Sequence, residues 1–393
     1  MTQQSSLSSR RTLLCAAVAS AILVACGGGG SGSEQGTLRL ALTDAPACGY
    51  DQVNVTVQKV RIHRSSTATE TDTGWEEVAL SPARRLDLLT LQNGVLAELG
   101  QTPLPAGTYT QMRLVLADNA AGNPLANSVV PTGGRETALT TPSGQQTGLK
   151  TNINLTVQPD RLADFVIDFK VCSSVVQAGQ SGRYLLKPVL NVMPRYVSGV
   201  GGTVEASIAN GNTTVSLQQG GESVRSTTPD ASGRFVLQPV APGNYTLVVS
   251  APGRATAVVT GVTVAADTLL NLGTSAGLML PTSAVGNVAG NVTTASLPVD
   301  ASVAAVQTLA GGGSIEVVRA PVDADNGAYR YALPTAAPQV APFVAATTPL
   351  VFTADTPAAA KYSLVARSGS SVKGPVAVTV VPATTVTTSF TFP

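Results

Sequence analysis

One histidine and very few aromatic rings narrow the chemistry open to this sequence before any motif is sought. His63 is the sole imidazole, and aromatic residues make up 4% of the chain. A hydrolase needs a nucleophile with a base, and only His63 could serve a serine triad. The scarcity of rings argues against an extended glycan-binding face built on stacking. Charge is sparse as well: 12% of residues are charged and the formal net charge is +1. No basic run gathers nucleic acid, so nucleic acid is not an expected partner. Beyond the first 25 residues no apolar run approaches the ~20 residues of a membrane-spanning helix.

What is present begins at the N-terminus. Arg10 and Arg11 are its only charges before Glu34, and an apolar run from Leu13 to Ala25 follows, broken by Ser20. A basic start, a short apolar core and small residues at the end are the three parts of a secretory signal. Leu23-Val24-Ala25-Cys26 resembles the lipobox of bacterial lipoproteins. The resemblance implies cleavage before Cys26, a diacylglycerol on its sulfur and acylation of the freed amine. At ~0.8 kcal/mol per buried methylene, three acyl chains on one residue anchor it almost permanently. The expected partner is therefore a lipid bilayer, through acylated Cys26, and the expected location is the cell envelope. Gly27 rather than Asp after the cysteine, by resemblance to sorted lipoproteins, implies the outer membrane over the inner one. Ser9-Arg10-Arg11 with Leu13-Leu14 also resembles a twin-arginine export signal, so the export route stays open.

Of four cysteines, Cys15 leaves with the signal and Cys26 carries lipid. Cys48 and Cys172 remain as an even pair in an oxidising compartment, for which a disulfide is the default. So long a loop would give about 4–5 kcal/mol in chain-entropy models. The alternatives are free thiols, or a metal pair that with His63 stays one ligand short of a closed zinc site. No cofactor is expected.

Residues 26–36 read as a lipidated Gly/Ser tether, flexible through Gly27 to Gly30 and Ser31-Gly32-Ser33, with a reach of about 17 Å for ten such residues. Alternation of apolar and polar residues then begins at Thr37: Leu38, Leu40 and Leu42; Val53, Val55 and Val57; Met112, Leu114 and Leu116; Phe165, Ile167 and Phe169. Period two predicts half-buried strands, and the slip from Val57 to Val60 predicts a bulge. Leu88, Leu91, Leu96 and Leu99 predict a short helix around Arg85 to Leu99, interrupted by Asn93-Gly94.

Residues 37–197 resemble the bacterial family called domain of unknown function 4382. The resemblance is carried by Leu42-Thr43-Asp44-Ala45-Pro46, Gly74-Trp75, Leu86-Asp87-Leu88-Leu89, Leu104-Pro105-Ala106-Gly107-Thr108-Tyr109 and Tyr184-Leu185-Leu186-Lys187-Pro188. It implies a β-rich domain without assigned chemistry. Residues 198–277 resemble the carboxypeptidase regulatory-like domain, a prealbumin-type sandwich. The carriers are Gly202-Thr203-Val204, Asp230-Ala231-Ser232-Gly233-Arg234-Phe235 and Pro242-Gly243-Asn244-Tyr245. Asp-x-x-Gly makes a tight turn, and Pro-Gly-x-Tyr a corner where the phenol bonds back to the chain. Residues 278–393 read as a divergent repeat, with Gly290-Asn291-Val292, Asp325 to Tyr329 and Lys361 to Leu364 as echoes. A Pro/Ala-rich insert lies near Pro334 to Ala360.

The chain has no Gly-x-Ser-x-Gly elbow, phosphate loop, HExxH or C-x-x-C. Asp323 to Gly327 starts like a calcium loop, but position twelve is Pro334 rather than glutamate. His63 reads as an exposed strand histidine. Trp75 reads as a ring buried by a hairpin strand; an exposed ring would be a sugar platform. Asp44, His63 and Trp75 together are the candidate ligand surface. The expectation is an all-β protein of three β-sandwich-like domains in tandem after a cleaved lipoprotein signal peptide. Its expected role is non-catalytic, binding an envelope protein or glycan or serving as a structural module. The alternatives are a carbohydrate-binding protein and an enzyme with an unrecognised acid-based site.

Overall fold

The computed structural model describes residues 35–44, 49–141, 148–179, 181–272, 277–344 and 350–393. The expected signal peptide, Cys26 and Cys48 lie outside the described residues. The protein is all-β, and its described residues form several separate sheets around three main hydrophobic cores, with two smaller apolar clusters between the units: Val176, Ala178, Leu185 and Ala324, and Val248, Val258, Leu309 and Ile315. Among the described residues no helix is long and apolar enough to cross a membrane.

In the first unit, strand Gln35–Asp44 lies inside a four-stranded sheet. It runs parallel to Leu162–Phe169 and antiparallel to Ala97–Pro105. A larger sheet centred on Tyr50–His63 faces it, flanked by Glu76–Asp87, Gly107–Leu116 and Ser128–Pro131. Leu38, Leu40 and Leu42 from one sheet meet Val53, Val55, Val57, Met112 and Leu114 from the other in one core. The bulge falls where the spacing slips: pairing with both neighbours shifts between Val57 and Lys59.

Two expectations need correction. The leucines from 88 to 99 do not form a helix. Strand Glu76–Asp87 passes into a 3-10 turn, Leu88–Leu91, whose start is capped by the Asp87 carboxylate. Asn93 (φ 55°) and Gly94 (φ 79°) then reverse the chain into strand Ala97–Pro105. Consecutive positive φ values cannot continue a helix, so the leucine spacing serves a turn and a strand that share one core. Nor does the tether extend to residue 36. Gly36 already belongs to a strand and lies so close to the 157–161 turn that a Cβ would stand 2.3 Å from the Gln158 carbonyl oxygen.

The second unit stacks a three-stranded sheet, with Gly199–Thr203 at its centre, on a sheet containing Glu222–Thr227, Thr214–Gln219, Gly243–Ser250 and Ala257–Val264. The Asp230 carboxylate accepts from Ser232 N and Arg234 N, closing the expected turn at Gly233. The Tyr245 hydroxyl donates to Ala241 O at 2.8 Å. Tyr109 makes the same corner in the first unit, donating to Pro105 O at 2.8 Å.

The third unit repeats this wiring. Gly290 pairs with Tyr329 as Gly202 pairs with Phe235, and each glycine strand also takes a parallel neighbour, Thr385–Thr387 and Leu269–Asn271. At Gly290 only glycine fits, because a Cβ would lie 1.6 Å from Thr388 O. The Pro/Ala-rich insert leaves its own unit. Strand Gln339–Pro342 runs parallel to Ala257–Val264, Thr353–Ala354 pairs with it, and Phe343, Leu350 and Phe352 pack on the second core. A boundary at 277/278 therefore divides the sequence more cleanly than it divides the sheets.

Candidate functional site

The three residues of the expected ligand surface are split between two places. His63 and Trp75 meet where strand Tyr50–His63 ends and strand Glu76–Asp87 begins, their rings 5.0 Å apart. The register puts Arg61 beside Arg113, and both guanidiniums sit over the indole, at 4.7 and 5.0 Å. Trp75 is half-buried, neither wholly enclosed nor a free platform, and its Nε1 donates to Thr69 O. His63 is also half-buried. Its Nδ1 accepts from Ser65 N at 2.9 Å, which leaves the proton on Nε2, 3.0 Å from Thr73 O. Both ring nitrogens are thus spent on the loop that follows, and no lone pair remains for a general base. Burial, reinforced by the charge of Arg61, lowers the Arg113 pKa. Hydrogen bonds from Thr69 hold the Asp72 carboxyl below its usual value. The cluster clips a loop to a sheet through cation–π and charge contacts.

Asp44 lies in the other sheet, fully buried, and its carboxylate accepts from Val171 N at 3.2 Å. It marks the junction of the first and second units. There Arg225 forms an ion pair with Asp168, the two side chains only 2% and 1% exposed. The same guanidinium donates to Thr43 Oγ1 at 2.9 Å and to Asp44 O at 3.3 Å. At the same contact Asn93 bridges Thr228 O and Val236 N.

The second and third units are joined by an amide that imitates a peptide. Gln218 Nε2 donates to Glu316 O at 2.7 Å while Glu316 N donates to Gln218 Oε1 at 2.8 Å. The third unit also reaches the first. Asp323 accepts from Gly179 N, Ala324 N donates to Gln177 O, and Lys187 Nζ donates to Val299 O at 2.6 Å. Burial lowers the Lys187 pKa, against the pull of Asp300. Around these contacts the three units enclose a cleft of about 980 Å³. Among the described residues no group of histidine, cysteine and acid side chains is arranged to hold a metal. The Asp323 loop spends Oδ1 on the amides of Asp325 and Asn326.

Sequence reading missed Arg225, Asp168 and Gln218. Asp168 stands between apolar neighbours on an alternating strand, the pattern of a solvent-facing position. Only the docking of a second unit buries it.

These elements define a class before they define a family: a multi-unit β-protein whose units are joined by buried polar contacts and small apolar clusters. Residues 35–188 match the model of domain of unknown function 4382, and residues 199–275 that of the carboxypeptidase regulatory-like domain. The chain carries these two domains in that order. No curated protein matches it. Among solved structures, the Bacillus anthracis TIE protein is similar at 12% identity and a TM-score of 0.15, over 91% of this chain and 50% of that one. The chain thus spans half the length of that protein. A streptococcal ancillary pilin is similar at 13% identity and a TM-score of 0.16, covering 90% and 99%. The Corynebacterium diphtheriae major pilin SpaA is similar at 12% identity and 0.17, covering 91% and 98%.

Proposed function

We propose that the chain is a bacterial lipoprotein, anchored through acylated Cys26 at the cell envelope, with a non-catalytic binding or structural role. The observation that carries the second half is the joining of the units: a buried ion pair, a side-chain amide in a strand's place and a strand lent by the third unit to the second fix three β-units to one another. That construction suits a support or a binding surface held in fixed geometry. His63, the one histidine, has both nitrogens engaged, which favours the non-catalytic reading over a serine triad. Trp75 under two guanidiniums disfavours the carbohydrate reading based on ring stacking. The outer membrane is the proposed location, on the resemblance of Cys26-Gly27. Cys26→Ser should move the protein from the membrane to the soluble fraction and abolish palmitate labelling. Unchanged fractionation would refute the anchor.

A Cys48–Cys172 disulfide belongs to the same proposal. Asp44 pairs in register with Phe169 and accepts from Val171 N. Asp44, the last described residue before Cys48, thus stands beside the one-turn helix Val171–Ser174 that carries Cys172. Non-reducing peptide mapping should link the two cysteines; alkylation of both would end the pairing.

A further inference from the structure

The cleft of about 980 Å³ lies at the upper end of the ~300–1,000 Å³ range common for small-molecule sites. Its floor is the outer face of the second unit's hairpin, Thr214–Gln219 with Glu222–Thr227. One wall is the first unit around Lys150 and Lys170, and the other is the third unit's strand Ser314–Pro321.

Two features give the cleft a chemical preference. The first is charge. Every carboxylate lining it is engaged by a cation: Asp168 by Arg225, Glu222 by Arg367, Glu316 by Arg319 and Asp300 by Lys187. Among the described residues Lys150 and Lys170 have no carboxylate partner; Lys170 Nζ reaches only the Ser223 carbonyl oxygen, at 3.5 Å. The chain reverses between strands Leu149–Val157 and Leu162–Phe169, so the two lysines stand at the same end of the first unit. The second feature is hydroxyl. Ser173, Ser223, Ser226 and Ser302 line the cleft half-buried, and among the described residues none of these hydroxyls has a hydrogen-bond partner. Among the described residues no aromatic ring lines it, so stacking of a neutral sugar or a base is not what it offers.

We infer that the cleft binds a small polyhydroxylated ligand carrying a phosphate or carboxylate. Lys150 and Lys170 neutralise the oxyanion as point charges, and the serines meet the ligand's hydroxyls. The inference rests on the binding role proposed above and names the ligand class for it.

The test is calorimetric titration of the mature lipidated chain in detergent with glucose 6-phosphate, glucuronate and glucose. The two acids should bind, and glucose at least about tenfold more weakly, the worth of ~1.4 kcal/mol. Lys150→Gln with Lys170→Gln should erase that preference without moving the thermal unfolding midpoint, because neither lysine holds a carboxylate. Phosphatidylglycerol vesicles that displace glucose 6-phosphate would place the oxyanion in a lipid headgroup; vesicles that do not would leave it in a free sugar acid. Equal affinity for all three sugars, no binding of either acid, or an acid preference that survives the double substitution would overturn the site. Release of inorganic phosphate from glucose 6-phosphate would overturn the non-catalytic reading while leaving the site standing.

Discussion

The second and third units share one wiring but are fastened to the rest of the molecule by different physics. The second docks on the first through charge, with Arg225 and Asp168 taken out of water together. The third docks on the second through an apolar cluster of Val248, Val258, Leu309 and Ile315 and through backbone-like pairing, with Gln218 standing in for a peptide and Gln339–Pro342 lent to a neighbouring sheet. That loan changes the corner as well. Tyr245 closes its corner on Ala241, four residues away, whereas Tyr362 reaches Pro334, 28 residues away, across the root of the departing insert. A repeat can keep its strand pairings and still spend its longest loop on a neighbour. The two fastenings also differ in how they fail, because a buried charge left alone costs more than a neutral amide left alone.

The largest expected effect tests the charged fastening. Arg225→Met leaves the Asp168 carboxylate buried without a cation and should lower stability by about 3–5 kcal/mol, read as a fall in denaturant midpoint. Adding Asp168→Leu should restore much of the loss. A single variant no less stable than the parent would show that the junction opens to water.

Alkali separates the two repeats next. In the third unit burial pushes the Tyr329 phenol up to about 12 and raises Tyr331 and Tyr362 further, while the second unit has only Tyr245, which burial also raises. Below pH ~10 folded and unfolded chains both keep these protons. As the pH rises from about 10 towards 12 the unfolded chain sheds them and the folded one does not, so stability falls with rising pH. Circular dichroism and tyrosinate absorbance should change together over that window. The loss should begin in the third unit. Ionisation of Tyr329, Tyr331 or Tyr362 near pH ~10 with the fold intact would contradict their burial.

The smallest effect concerns the neutral fastening. Gln218→Ala strips Glu316 of partners for both its N–H and its C=O, at a cost of about 1–3 kcal/mol. Hydrogen exchange should quicken at Glu316 while the Asn93 contact stays protected. A loss as large as that of Arg225→Met would erase the distinction between the two junctions.

Much of this architecture could be read along the chain, because period-two burial is a local property. Each of Leu38, Leu40 and Leu42 needs only its own strand to declare its face, and Asp230 with Gly233 writes its turn within five residues. The leucines at 88, 91 and 99 misled for the same reason. Their spacing fits a helix, but Asp87, Asn93 and Gly94 divide them between a turn and a strand. Of the candidate surface, His63 and Trp75 do meet, and Asp44 belongs elsewhere.

By itself the sequence determined the all-β class, the order of the two recognised domains, the bulge beyond Val57 and the tyrosine corner at Tyr245. All of these depend on neighbours a few residues apart. Tertiary structure alone decided that Asp168 is buried, that Arg225 answers it, that Gln218 completes a strand of another unit, and that the insert serves a sheet not its own. The physical reason is that burial of a polar residue is set by what docks on it. The docking partners here are separated by tens of residues up to a hundred or more, beyond the reach of any local pattern.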